Sequence, residues 1–174
     1  MNNDTLRRVS DFEVILQTLS ERNVRYLVVG GVAVVLQGYQ RLTADLDLII
    51  ALDEANVALA LGALATLDFK PRAPVRAADF ANAEIRESWI HDKGLTVFSM
   101  WSSRLVSTEV DLFAESPIPF DEAYARSSVL VIGSSRVHYA SIGDLIELKR
   151  VAGRPKDLLD IEELTRIQKQ RSGQ

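Results

Sequence analysis

Val29-Gly30-Gly31, thirteen further residues, and then Asp45-Leu46-Asp47-Leu48 make up the stretch on which the fold turns. On a strand, residues two apart point to the same face, so Asp45 and Asp47 project together while Leu46 and Leu48 enter the core. Two ionised carboxylates side by side repel each other. A divalent cation removes that cost, and hard oxygen ligands suit Mg2+. Upstream, Val24 to Val29 is rich in β-branched residues and reads as a buried strand that Gly30-Gly31 ends. A strand turning into a helix at a glycine pair presents free backbone N–H groups, and glycine lets a phosphate approach them closely. A third acid follows in Glu109-Val110-Asp111-Leu112-Phe113. Asp111 is flanked by apolar residues, as a strand carboxylate facing a site would be, and Glu109 shares its face and competes for the role.

Working outward, residues 5–21 carry Leu6, Val9, Phe12, Ile15, Leu16 and Leu19 at spacings of three and four, which predicts an amphipathic helix with Asp4 as its cap. Residues 31–37 read as a short apolar helix with Gly38 as its stop. Leu46 to Ile50 reads as a strand, and Asp53 caps a helix running to about Leu67. The stretch from Lys70 to Ala83 reads as a loop. Glu84 to His91, Thr96 to Trp101 and Thr108 to Phe113 are three strand candidates. Val129 to Ile132 and Arg136 to Tyr139 flank Gly133-Ser134-Ser135 as a hairpin. Ser141 caps a helix through Val151 that Gly153 stops. Pro155 opens the next, whose buried face is Leu158, Ile161, Leu164 and Ile167. This order predicts a single α/β (α+β) domain over residues 1–174, with a mixed sheet, helices mainly on one face, and a frayed polar end from Arg166.

Composition narrows the chemistry. The 174 residues are 47% hydrophobic and 25% charged, enough to bury a core. There is no cysteine, which excludes disulfides, thiol nucleophiles and Cys-ligated zinc. With two histidines, His91 and His138, both assigned to strands, a His-rich metal site is also disfavoured. A net charge of −4 argues against tight binding to long DNA. Met1-Asn2-Asn3-Asp4 has no basic n-region followed by an apolar run, and Val24 to Leu36 is broken by Arg25 and the glycine pair. The expectation is therefore a cytoplasmic protein with no membrane partner. A phosphate cradle beside metal-binding carboxylates is the apparatus of phosphoryl or nucleotidyl transfer.

The pattern of an apolar residue, Gly-Gly, a short helix and Asp-x-Asp resembles the polymerase-β-type nucleotidyltransferase superfamily. The string Gly30-Gly31-Val32-Ala33, then Gly38-Tyr39-Gln40-Arg41-Leu42-Thr43-Ala44-Asp45-Leu46-Asp47, is similar to its small bacterial abortive-infection and toxin–antitoxin branch. So is the C-terminal run Asp144-Leu145-Ile146-Glu147-Leu148-Lys149 with Ala152-Gly153-Arg154-Pro155-Lys156-Asp157-Leu158-Leu159-Asp160-Ile161. The likeness spans roughly residues 24–165, and implies a minimal nucleotidyltransferase fold. It implies that Asp45, Asp47 and Asp111 are the catalytic and metal-binding acids, holding a pair of Mg2+ ions. It further implies that Gly30 and Gly31 cradle the β- and γ-phosphates of a nucleoside triphosphate, that Lys149 contacts the triphosphate and that Asp157 bears on activity. Arg41 and Thr43, just before the acids, are assigned to the phosphates. The implied reaction moves a nucleoside monophosphate to an acceptor hydroxyl on an RNA end, a protein or a small molecule, and a toxin of this branch would have a cognate antitoxin.

Plainer readings compete at several positions. Lys149 near a helix C-terminus, and Asp157 and Asp160 after Pro155, also have the placement of macrodipole partners. Trp89 and Trp101 read as packing rather than as a base-stacking platform. The same fold could serve as a non-catalytic nucleotide- or partner-binding module, or as an antibiotic-modifying transferase whose acidic surface suits a cationic acceptor.

Overall fold

The computed structural model describes residues 3–106 and 108–173. The Met1-Asn2 start and Gln174 lie outside the described residues, as do the side chains of Asp4, Leu6 and Val9 to which the first helix was assigned. The chain runs α1 (Asn3–Glu21), β1 (Tyr26–Val28), α2 (Gly30–Leu36), β2 (Asp45–Ile50), α3 (Glu54–Thr66) and β3 (Phe69–Pro71). After a 3-10 turn (Ala77–Ala81) come α4 (Ala83–Lys93), β4 (Val97–Ser102), β5 (Glu109–Phe113), α5 (Phe120–Ala125), β6 (Ser128–Ile132), β7 (Ser135–Tyr139), α6 (Ile142–Ala152) and α7 (Pro155–Ser172). The strands form one mixed sheet in the order β3-β4-β5-β2-β1-β7-β6, and the α/β fold has its helices mainly on one face of it.

The local rules behind this order are visible at the helix ends. Asp53 accepts a hydrogen bond from the Asn56 N–H at 2.9 Å, and Ser141 accepts from the Asp144 N–H at 3.2 Å. Each satisfies a backbone donor that the first helical turn leaves unpaired. Gly153 closes α6 in the left-handed conformation, at φ 61°. Leu46, Leu48 and Ile50 on β2 and Val110 and Leu112 on β5 are fully buried, so the acids between them have no option but the opposite face.

Several sequence expectations are corrected. Glu84 to His91 is not a strand but the body of α4. Asn82 caps it by accepting from the Ile85 N–H at 2.9 Å, and Gly94 ends it at φ 64°. The β-branched content of the segment is outweighed by these two terminal signals and by a helical face that buries Arg86 and Trp89. His91 therefore sits on a helix. The stretch from Lys70 contains β3 and the 3-10 turn, whose Phe80 stacks on Phe98 with centroids 4.4 Å apart. α5, a six-residue helix whose N-cap Pro119 makes no side-chain cap hydrogen bond, lies in a stretch with no assigned element in the sequence. Leu158 is 68% exposed; its place on the inner face of α7 is taken by Asp157 and Asp160. The polar end continues α7 to Ser172, with Arg171 donating to the Gln37 side chain and carbonyl at 2.8 and 2.9 Å. Among the described residues, no helix is long and apolar enough to cross a membrane.

Candidate active site

β1 and β2 pair antiparallel, and β2 and β5 pair parallel. The C-terminal end of β1 therefore meets the N-terminal ends of both acid-bearing strands, and the Val29 N–H donates to the Asp47 carbonyl at 3.0 Å. The β2–β5 register sets Asp47 directly opposite Asp111 and Asp45 directly opposite Glu109. Side chains so paired stand about 5 Å apart at Cβ on one face. Segments more than sixty residues apart in the chain thus deliver their carboxylates to one place through sheet hydrogen bonds alone.

The glycine turn closes over this place. Gly30 has φ +61°, and a Cβ there would lie 1.8 Å from Asp47 Oδ2. A Cβ on Gly31 would lie 2.4 Å from Thr43 Oγ1 and 3.3 Å from Arg41 Nη2. The turn is therefore packed between Asp47 on one side and the Arg41–Thr43 segment on the other, and only glycine fits both positions. Val29, which precedes α2, supplies no side-chain cap to its first turn.

The electrostatics mark Asp47. Burial, then the Asp111 and Asp45 carboxylates, push its carboxyl up to about 6, against the pull of the Arg154 guanidinium and the Gly31 N–H. Asp111 Oδ1 is buried and has no hydrogen-bond partner among the described residues. An orphaned carboxylate oxygen beside a second carboxyl that resists ionisation is an uncompensated negative site. It fits a hard divalent cation. Among the described residues, no three Asp, Glu or His side chains are gathered around a single point. A cation held here would use one or two carboxylates and complete its shell with water or phosphate oxygens, which is the usual habit of Mg2+.

Glu109, the competitor of Asp111, is taken up elsewhere. Arg72 binds it in a bidentate pair, Nε to Oε2 at 2.8 Å and Nη2 to Oε1. Among the described residues, no cation pairs with Asp111 in this way. The Arg72 partnership joins residues thirty-seven apart and leaves no local trace in the sequence.

The C-terminal motif folds back on the same region. Lys149 is 5% exposed and lies 3.2 Å from Asp157 Oδ1 and 2.6 Å from Asp160 Oδ2. Asp160 also binds Arg41 Nη1, and Asp157 also binds Arg154, Nε to Oδ2 at 2.8 Å. Hydrogen bonds from Arg154 and Lys149 hold the Asp157 carboxyl below the usual range even though burial pushes the other way. Lys149 is thus enclosed by carboxylates rather than free. Arg154, to which the C-terminal motif alone assigns no role, is the C-terminal cation whose field reaches Asp47. Beside Arg41 and Thr43 lies a mainly apolar groove of about 880 Å3 walled by Leu16, Val32, Val35, Leu42, Leu130 and Ile132.

Comparison with solved structures identifies the fold as that of nucleotidyltransferases. ANT(2")-Ia in complex with adenylyl-2"-tobramycin matches with a TM-score of 0.53 at 16% identity, covering 95% of each chain. A nucleotidyltransferase-like antigenic protein from Paracoccidioides brasiliensis matches at 0.55 and 20% identity, covering 96% of this chain and 77% of that one. JHP933 from Helicobacter pylori matches at 0.56 and 14% identity, over 95% and 68%. No protein-family model and no curated protein matches the sequence.

Proposed function

We propose that the chain is a Mg2+-dependent nucleotidyltransferase that moves a nucleoside monophosphate from a nucleoside triphosphate to an acceptor hydroxyl. The observation that carries this reading is the convergence of a glycine turn with no room for a side chain on Asp47, itself in register with Asp111, whose Oδ1 has no hydrogen-bond partner among the described residues. Asp45, Asp47 and Asp111 would hold a pair of Mg2+ ions between them, with one or two carboxylates to each ion. When bound, Mg2+ neutralises the triphosphate and polarises the phosphorus under attack. Gly30 and Gly31 allow the β- and γ-phosphates to approach the backbone, and Arg41 and Thr43 line the same approach. Asp111 takes up the proton as the acceptor oxygen forms its bond to the α-phosphorus, while the bond to the pyrophosphate oxygen breaks in line with it. The tie between Glu109 and Arg72 supports giving that task to Asp111 alone.

Two acceptor classes have support. The C-terminal motif resembles that of the toxin branch, which favours an RNA end or a protein hydroxyl and a cognate antitoxin. The likeness over 95% of each chain to an enzyme seen with an adenylylated aminoglycoside favours a small-molecule hydroxyl. Incubation of the protein with α-labelled nucleoside triphosphates, Mg2+ and either total RNA, lysate or an aminoglycoside panel tests the reading. Label should enter one class of acceptor and be lost with Asp45→Ala. Label in none of them, or equal label with Asp45→Ala, refutes it. Metal-dependent binding of the triphosphate without turnover would assign the chain to a non-catalytic module.

A further inference from the structure

Three cations and two carboxylates form a single ion-pair network, buried at its centre and open at its rim, where α6, the start of α7 and the loop ahead of β2 meet. Its wiring is symmetric. Asp160 is shared between Lys149 and Arg41, and Asp157 between Lys149 and Arg154. Lys149 contacts both acids and little solvent reaches it. The arginines are at the rim, with Arg41 19% and Arg154 56% exposed in their side chains.

The remaining donors tell the cations apart. Arg41 spends Nη1 on Asp160 and Nε on the Leu42 carbonyl, and its Nη2 faces the Gly31 turn without a hydrogen-bond partner among the described residues. Arg154 spends Nε and Nη2 on Asp157, leaving Nη1 similarly unpartnered, and its charge acts on Asp47. The Lys149 ammonium could reach a ligand only by abandoning two carboxylates that are themselves almost fully buried, which is strongly unfavourable. The network carries one positive charge in excess, and that excess is displayed by guanidinium groups at the edge of the acid cluster.

We infer that Arg154, together with Arg41, binds the phosphate oxygens of the nucleotide, and that Lys149 neutralises the buried Asp157 and Asp160 carboxylates beneath them without itself touching the ligand. This rests on the nucleotidyl-transfer reading for the identity of the ligand. It moves the contact expected of Lys149 onto Arg154. Planar guanidiniums already anchored on one edge present their free edge to phosphate at little further ordering cost.

The test is calorimetric titration of the full chain with inorganic tripolyphosphate in Mg2+ buffer at several salt concentrations. Arg154→Gln, at an exposed side chain, is expected to keep the wild-type Tm within a few degrees. It should weaken binding at least about 10-fold and flatten the salt dependence, as removal of one phosphate-neutralising cation does. Lys149→Met combined with Asp160→Asn removes one charge of each sign and keeps an oxygen for Arg41. It should hold binding within about 5-fold and leave the salt dependence unchanged. Arg154→Gln binding like wild type, or a folded Lys149→Met/Asp160→Asn protein losing both affinity and salt slope, overturns the inference. Wild-type protein that binds tripolyphosphate with this pattern yet transfers no nucleotide overturns only the enzymatic reading. Wild-type protein that binds none overturns both.

Discussion

Replacing Asp47 by Asn should make the metal-free protein more stable at neutral pH while abolishing its chemistry. Asp47 titrates near 6 in the fold against 3.8 for an unperturbed carboxyl, because burial and the Asp111 and Asp45 carboxylates oppose its ionisation. A carboxyl whose folded value is raised costs stability as pH rises. Below about pH 4 it is protonated in both states and costs nothing. Between about pH 4 and 6 the unfolded chain releases the proton that the native state retains, and stability falls. Above 6 the full cost is present, about 3 kcal/mol for a displacement of about two pH units. Asn keeps the size of the side chain and carries no charge. Thermal unfolding in EDTA at pH 8 should therefore show Asp47→Asn melting about 6–12 °C above wild type, at about 2–4 °C per kcal/mol for a chain of this length. At pH 5 the advantage should shrink to about half. Adding Mg2+ at pH 8 should raise the wild-type Tm and narrow the gap. An advantage equal at pH 5 and pH 8, or a less stable Asp47→Asn protein at pH 8, would refute the claim that uncompensated charge strains this site.

Gly30→Ala should lose transfer activity, because its Cβ would lie 1.8 Å from Asp47 Oδ2, and the left-handed backbone at φ +61° alone should cost about 1–2 kcal/mol of stability; the transfer assay and chemical denaturation read the two. Asp111→Asn should lower the transfer rate about 100-fold or more, whereas Glu109→Gln should stay within about 10-fold of wild type, since Glu109 is already held by Arg72. Loss of that exposed ion pair should cost at most about 1 kcal/mol in urea melts. Phe80→Ala, removing a fully buried ring stacked on Phe98, should cost about 3–5 kcal/mol by the same measurement, with nucleotide affinity preserved in the folded fraction.

The parts of the site legible in the sequence are those written in local spacing. Asp45 and Asp47 share a face because strands have a period of two, and Gly30-Gly31 mark a turn because no side chain fits there. The caps at Asp53 and Ser141 and the stop at Gly153 were equally local. What could not be read depends on pairings across the chain. The β2–β5 register that sets Asp111 opposite Asp47, the Arg72 clamp on Glu109 and the enclosure of Lys149 by Asp157 and Asp160 all join separate elements. The misreading of Glu84 to His91 has another source. Asn82 and Gly94 bracket a helix, but its inner face is formed by Arg86 and Trp89, so no clean apolar stripe announces it. The same substitution of polar for apolar placed Asp157 and Asp160, not Leu158, on the inside of α7.

The parallel pairing of β2 with β5 has one more consequence. A slip of β5 by a single residue would face Asp47 with Val110 or Leu112 and drive Asp111 into the apolar interior. Nothing among the carboxylates themselves resists such a slip, since they repel. What forbids it is the apolar underside, where Val110 and Leu112 lock against Leu46 and Leu48 with no exposed surface. The greasy face of the sheet is thus the ruler by which the charged face is graduated.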